Sequence, residues 1–380
     1  MKRFLQVILV LIVVANVLIV VTGSTYVYRV LFYNFSNIDD YCINANRVVM
    51  AADSGKTIPW HNGNNYNKKP LNPEFESQLR DWNTVAFLII KDDSVRTEYY
   101  WDGYADTSHS NSFSVAKSIV GTLIGIALKE GKIKSLDEPA CNYIPEFKDA
   151  EHSKITIRHL MQMSSGLMWD ESYNNPVSIT AEAYYGKHLK ELVTELPVAE
   201  EPGKHFNYQS CCTQLLALIV QKATGKKVSD YASEKLWKPM GAEHDAWWSL
   251  DHKQGLERAF CCFNSNARDF ARLGKLYLNK GNFNGVQIVD SAFVDECTKP
   301  NPCPEVDGKP NKRYGMQWWC INRNSQDIFF ARGLHGQYIF VIPQMKMIVV
   351  RLGEGKGKTT PDGHLTDIYA YLDEAMKMYP

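Results

Sequence analysis

The stretch NSFSVAKSIVGTLIGIAL, Asn111 to Leu128, is apolar or small at almost every position after Phe113, as a buried helix requires, yet it carries Lys117 near its start. Positions three apart on a helix share a face, roughly 5–6 Å apart at Cβ. Ser114 and Lys117 therefore point the same way, one turn apart. If Ser114 stands at the helix N-terminus, its backbone N–H has no intrahelical partner and is free to hold an oxyanion. An amine withdrawn from water loses basicity, because desolvation disfavours its charged form. A neutral amine beside a hydroxyl is a base beside a nucleophile. Ser-x-x-Lys also arises by chance, and a lysine in a first helical turn can reach solvent. The embedding favours chemistry: Val115, Ile119, Val120, Leu123, Ile124 and Ile126 leave little exposed face, and this Ser-x-x-Lys occurs once in the chain.

On either side of this helix the texture changes. TVAFLIIK from Thr84 and VRTEYYW from Val95, separated by Asp92, Asp93 and Ser94, read as a β-hairpin. Near the C-terminus DIFFARG, QYIFVIP and MKMIVVRLG are three further strand-like runs, and TDIYAYLDEAMKMY closes the chain as a helix. Between these ends the pattern is mostly helical. TIRHLMQMSSG has Thr156 as its N-cap, while SCCTQLLALIVQKATG and NARDFARLGKLYLNKG are amphipathic and end at glycine. Strands at both ends with helices between predict an α/β fold. Its antiparallel sheet is built from N- and C-terminal segments, is flanked by helices and carries a mostly helical inserted subdomain. The expected divisions are an anchor or signal segment over 1–30, a loop-rich connector over 31–82 and a hydrolase domain over 83–380, with the insert at about 132–320.

Composition fits a large globular enzyme: 380 residues, 45 % hydrophobic, with 42 basic and 42 acidic side chains. Balanced charge and the lack of basic runs argue against a nucleic-acid partner. Lys2 and Arg3 precede an uncharged stretch from Phe4 to Tyr28, long enough to cross a bilayer. The positive-inside rule then places the bulk of the chain outside the cytoplasm, periplasmic or extracellular. A cleaved signal peptide, giving a secreted protein, is the rival reading, although no good Ala-x-Ala-like site is present. The nine cysteines show no zinc spacing. Adjacent cysteines do not easily bond to each other, so buried free thiols are expected; Cys297 and Cys303 are a candidate disulfide in an exported domain.

Two other segments complete a candidate site. PGKHFNYQSCCTQLLALIV places Tyr208 at the mouth of a helix beginning near Ser210, where simple packing is the competing explanation. In ARGLHGQYIFVIP, Gly333 and Gly336 interrupt a strand, which suggests close approach of another backbone or of a ligand. An edge strand there could supply a second oxyanion donor and pair with an extended substrate.

Ser114-x-x-Lys117, then Tyr208-x-Ser210, then a glycine-containing C-terminal strand together resemble the serine β-lactamase and penicillin-binding-protein superfamily. LDEPACNYIPEF and ITIRHLMQMSSGL are similar to segments of its class C-related branch, and NSFSVAKSIV and GQYIFVIP to 6-aminohexanoate-dimer hydrolase-like amidases. The resemblance runs from about Thr84 to Gly353. It implies Ser114 as acylated nucleophile, Lys117 as general base, Tyr208 as proton shuttle, and Tyr173 of MWDESY as an aid to amide cleavage. The oxyanion would lie between the N–H groups of Ser114 and roughly Gln337, with Gly336, His335 and Ser210 around the substrate.

Two departures bear on specificity: Ser210 stands where lactamases commonly carry asparagine, and Lys-Thr-Gly is absent. Efficient β-lactamase activity is therefore not expected, since the usual positive group facing a substrate carboxylate is missing or altered. No metalloprotease, Gly-x-Ser-x-Gly or Walker motif is present, and no metal or cofactor is called for. The expectation is a membrane-anchored serine hydrolase of amide, ester or peptide substrates. The alternatives are a non-catalytic sensor and a D-Ala-D-Ala carboxypeptidase.

Overall fold

The computed structural model describes every residue except 34 and 35. The chain begins with α1 (Lys2–Val21) and α2 (Tyr26–Tyr33), then β1 (Asn46–Val49), β2 (His61–Asn62) and α3 (Pro73–Asp81). The hairpin β3 (Thr84–Lys91) and β4 (Ser94–Tyr100) leads through β5 (Ser110–Asn111) into α4 (Val115–Lys129). Short helices α5 (Ile157–Met161), α6 (Ile179–Tyr185) and α7 (Leu189–Thr194) precede α8 (Ser210–Thr224) and α9 (Val228–Ala232). Then come β6 (Ala246–Ser249), β7 (Phe263–Ser265), α10 (Ala267–Leu278), the small hairpin β8 (Asn282–Phe283) and β9 (Val286–Gln287), and α11 (Ser291–Cys297). β10 (Trp319–Arg323), β11 (Gln326–Gly333), β12 (Gln337–Ile342), β13 (Met347–Gly353) and α12 (Thr366–Met378) finish the chain.

The main sheet has the order β10-β11-β12-β13-β3-β4-β2. Ile348 pairs with Ile90 and Val350 with Leu88, so the last strand of the sequence lies against the first long one. These strands read as continuous apolar runs because both faces are covered. α4 and α10 lie on one face, α3 and α12 on the other. All pairings are antiparallel except that of the short β2 with β4. The sheet joins strands from the N- and C-terminal parts of the chain, as the sequence predicts.

The 31–82 stretch supplies elements to both sheets. β2 extends the main one, and β1 borders a second sheet of order β1-β6-β7-β5. The stretch 132–320 holds more helix than strand, but it also contains β6 to β9 and the first two residues of β10, and its α10 packs directly on the main sheet. α1 is long and apolar enough to span a membrane, and none of its residues is buried.

The cysteines depart from expectation. Cys261 and Cys262 are bonded to each other. The chain turns there, with the Cys261 N–H donating to the Arg258 carbonyl and Cys262 in the left-handed region, which brings adjacent side chains together. Cys297 and Cys303 are both free and buried. Cys297 ends α11, whereas the Cys303 thiol faces Gln162 and the Gly203 carbonyl, so the two point to different neighbours.

Candidate active site

α4 is held in place by its apolar surface and by two glycines. A Cβ on Gly125 would meet the Phe293 ring at 2.5 Å, and one on Gly121 would meet Gln317 at 3.0 Å. Bare backbone at these positions lets α11 and the loop before β10 close on the helix. Its first turn then faces a deep site. Ser114 occupies the N-cap position, and Phe113 just before it has φ +43°. A bulky residue in that region is strained. Asn111 holds it there, its Oδ1 accepting from the Phe113 N–H at 3.0 Å.

Lys117 is 1 % exposed. Its Nζ lies 3.0 Å from Ser114 Oγ, 3.0 Å from Ser210 Oγ and 2.8 Å from the Phe260 carbonyl oxygen. Burial lowers its pKa to about 8, with Glu171 opposing part of that shift. The proton count is informative. The Phe260 carbonyl can only accept. Ser210 gives its single hydroxyl hydrogen to Glu171 Oε1 at 2.6 Å, so toward Lys117 it too must accept. A neutral amine has two N–H bonds and one lone pair. With both N–H bonds committed, the lone pair is left for the Ser114 hydroxyl.

Tyr208 stands just before α8. Gln209 anchors that turn, donating to the Leu167 carbonyl at 2.7 Å and accepting from Ser165. The Tyr208 ring packs on Trp319 and Tyr314, and the Lys117 Nζ lies 5.2 Å from its centroid. Burial raises the phenol pKa, with Ser114 acting in the opposite direction as a hydrogen-bonding neighbour. Tyr208 thus holds its proton at neutral pH.

The unexpected member is Glu171. Its carboxylate accepts from Ser210 N–H at 2.7 Å, Ser210 Oγ at 2.6 Å, Trp169 Nε1 at 2.6 Å and Tyr173 Oη at 2.5 Å. A carboxylate at the first N–H of α8 is favoured by the unpaired amides there. Tyr173 is 41 % exposed, but its hydroxyl end turns inward to Glu171, and burial of that end raises its pKa. Nothing in MWDESY marks Glu171 as special: Trp169 and Tyr173 are its neighbours in sequence, but the Ser210 N–H and hydroxyl that tie it to the site come from α8.

The third segment is arranged differently from the sequence expectation. β12 is an interior strand, and Gln337 pairs with Gly333. The Gln337 side chain is spent on the Leu334 and Gly353 carbonyls and the Gly353 N–H. Gly336 lies against Arg351, and the His335 ring bonds to the Ser36 carbonyl at 3.0 Å and packs edge-on against Phe113. The open edge is the end of β11: β10 covers it only as far as Phe330, and a Cβ on Gly333 would meet the Ser112 carbonyl at 2.3 Å. Leu334, the next residue, lines the same cavity as Ser114, Tyr173 and Ser210, whereas His335, Gly336 and Gln337 do not. Among the described residues, neither the Ser114 nor the Leu334 amide donates a backbone hydrogen bond outside the regular elements.

The usual positive group was expected to be missing or altered, and the fold places Arg332 beside the site. The Arg332 guanidinium lies 4.8 Å over the Trp319 ring, and its charge acts on both Tyr173 and Tyr208. Its Nη1 is buried with no hydrogen-bond partner among the described residues. Arg332 was visible in ARGLHG, but only the fold shows that β11 ends beside Tyr208. Trp247 and Trp248 do not line this cavity: Trp247 stacks on His109 and Trp248 is buried against Phe263.

The sequence pattern of the beta-lactamase family matches residues 74–372. The chain belongs to that family. Within the beta-lactamase family it is 27 % identical over 324 residues to a 6-aminohexanoate-dimer hydrolase of Paenarthrobacter ureafaciens, covering 79 % of this chain and 82 % of that one. A Bacillus anthracis structure assigned as a 6-aminohexanoate-dimer hydrolase superposes with TM-score 0.72 at 24 % identity, over 88 % of this chain and 91 % of the other. A family VIII carboxylesterase gives TM-score 0.64 at 16 % identity, covering 84 % and 99 %. At such identities these two structures establish the shared fold alone. With its hydrolase relative, the chain falls among the hydrolases of the beta-lactamase family.

Proposed function

We propose that the protein is a serine hydrolase that cleaves an amide or ester through an acyl-enzyme on Ser114. The observation that carries this reading is the geometry at Lys117: once the amine is neutral, the Phe260 carbonyl and Ser210 take its two N–H bonds, and its lone pair is left for the Ser114 hydroxyl 3.0 Å away. Ser114 Oγ attacks the substrate carbonyl carbon as its hydrogen passes to the Lys117 amine. The oxyanion forms between the N–H of Ser114 and that of Leu334, the latter replacing Gln337 as second donor. Collapse breaks the bond to the leaving nitrogen or oxygen. That atom takes a proton from Tyr208, which is re-protonated from Lys117. Water then attacks the acyl carbon, gives a proton to the same pair of bases, and releases the acid with Ser114 restored.

Glu171 is a positioning residue in this scheme. It fixes the direction of the Ser210 hydroxyl and anchors the Tyr173 phenol beside the leaving group. The 27 % identity to a 6-aminohexanoate-dimer hydrolase supports a linear amide as one substrate class, and the resemblance in fold to a carboxylesterase is compatible with an ester. Arg332 suits a substrate that carries a carboxylate. α1 is read as an uncleaved anchor that holds the domain on the non-cytoplasmic side of the membrane.

The test is labelling by a fluorophosphonate, followed by hydrolysis of p-nitrophenyl esters and of the linear 6-aminohexanoate dimer. Wild type should label at Ser114 and turn over at least one of these substrates. Ser114→Ala should do neither while unfolding at the same temperature, because it removes one hydroxyl. Full turnover by Ser114→Ala would overturn the assignment. Labelling without turnover of any probe would point to a sensor of the same fold.

A further inference from the structure

The sequence YVYRVLFY of α2 carries three tyrosines and a phenylalanine within eight residues, shortly after the apolar α1. α2 has two apolar faces. Tyr26, Val27 and Val30 are buried against the catalytic domain, where α2 packs on α6. Tyr28, Leu31 and Phe32, spaced i, i+3, i+4, form a second stripe and are 38 %, 68 % and 81 % exposed. A water-facing helix does not place its largest apolar groups outward, and tyrosines are enriched where membrane meets water.

Three contacts fix where this stripe lies. Tyr28 Oη donates to Asn16 Oδ1 of α1 at 2.8 Å, so α2 folds back beside the last turns of the hydrophobic helix. Arg29 clamps α2 to the domain, donating to Asn44 Oδ1 at 3.0 Å and to the Ile43 and Tyr185 carbonyls. Val30 lines the cavity that holds Ser114, together with Phe113, Tyr184, Tyr185 and Leu334. Val30 is nine residues beyond the end of α1, a span of at most about 30 Å even if fully extended. One short helix thus walls the catalytic cavity on its inner side and lies alongside the candidate membrane span.

We infer that the outer face of α2 is seated in the bilayer interface, and that the enzyme draws its substrate from the membrane as an amphiphile whose alkyl chain enters the cavity beside Val30. This rests on the reading of Ser114 as the nucleophile and of α1 as a retained anchor. The occupant of the exposed stripe is lipid. Its residues are apolar and aromatic without an acidic group, and they continue from a helix of membrane-spanning length.

The test uses the full chain in phosphatidylcholine vesicles with two probes, water-soluble p-nitrophenyl acetate and p-nitrophenyl palmitate dissolved in the bilayer. The variant Leu31→Ser combined with Phe32→Ser should hydrolyse the acetate within twofold of wild type, which also reports its folding. It should lose at least tenfold on the palmitate. A photo-crosslinker placed at Phe32 should form lipid adducts. Equal rates of both esters in variant and wild type, equal losses on both, or no lipid adduct would overturn the inference. Lipid adducts in a protein that cleaves neither ester would support the placement of α2 and sink the hydrolase reading instead.

Discussion

Lys117 is costly to bury, and its surroundings show what the cost achieves. Desolvation weakens its hold on a proton, while Glu171, reached through Ser210, restores part of it. The two influences leave its pKa at about 8. The sign of the pH dependence follows. Lys117 accepts a proton only when neutral, so kcat/KM should fall about tenfold per pH unit below 8 and level off above it. Glu171→Gln removes an anion that favours the ammonium form, so the limb should move to lower pH; a limb that stays or moves upward would contradict this coupling. Lys117→Met keeps an apolar stem of similar length and should cost roughly 10²–10⁴-fold in turnover, the usual worth of general-base help. Arg332→Met should raise KM for a carboxylate-bearing ester such as p-nitrophenyl hemisuccinate, with little change for the uncharged acetate. Equal changes for both would show that the guanidinium has no part in substrate selection.

At the scale of elements, the site is the meeting of three ends: the start of α4, the start of α8 and the last residues of β11. Each was marked in the sequence by local chemistry. Thr156 accepts from the His159 N–H as the expected N-cap, and Gly225 closes α8 in the left-handed conformation. What brings the ends together is close packing, and α4 is its most sensitive part. Gly125→Leu would drive a side chain into Phe293 and Val289 and should destabilise the fold by about 1–3 kcal/mol. The same change on an open glycine such as Gly103, near which no atom lies within 4 Å, would lack this packing penalty but strain a positive φ. Thermal unfolding of Gly125→Ala and Gly125→Leu checks the point: the loss should grow with side-chain size.

For the molecule as a whole, α1, α2 and the catalytic domain are continuous, since Ile19 of α1 and Tyr33 of α2 pack against the common hydrophobic core. The cysteines give a check on the whole chain. Of nine cysteines two are bonded to each other and seven are free. Alkylation of the denatured, unreduced protein should therefore add seven labels, and nine after reduction. Nine without reduction would show that Cys261 and Cys262 are thiols in solution.

Much of the protein is legible from local pattern. Alternation of apolar runs with turn residues revealed β3, β4 and β11 to β13, and Ser114, Lys117 and Tyr208 stood out by spacing and by their helix boundaries. These signals are local because hydrophobic periodicity and capping act over a few residues. Glu171, the Phe260 carbonyl and Leu334 were not legible, since each acquires its place through partners far along the chain. The family resemblance implied roughly Gln337 as the second oxyanion donor, but β12 lies inside the sheet, and only strand order could show that. The sequence by itself determined which residues could react. Tertiary structure decided which of them meet and which proton each one holds, because hydrogen bonds and desolvation depend on neighbours that chain order does not record.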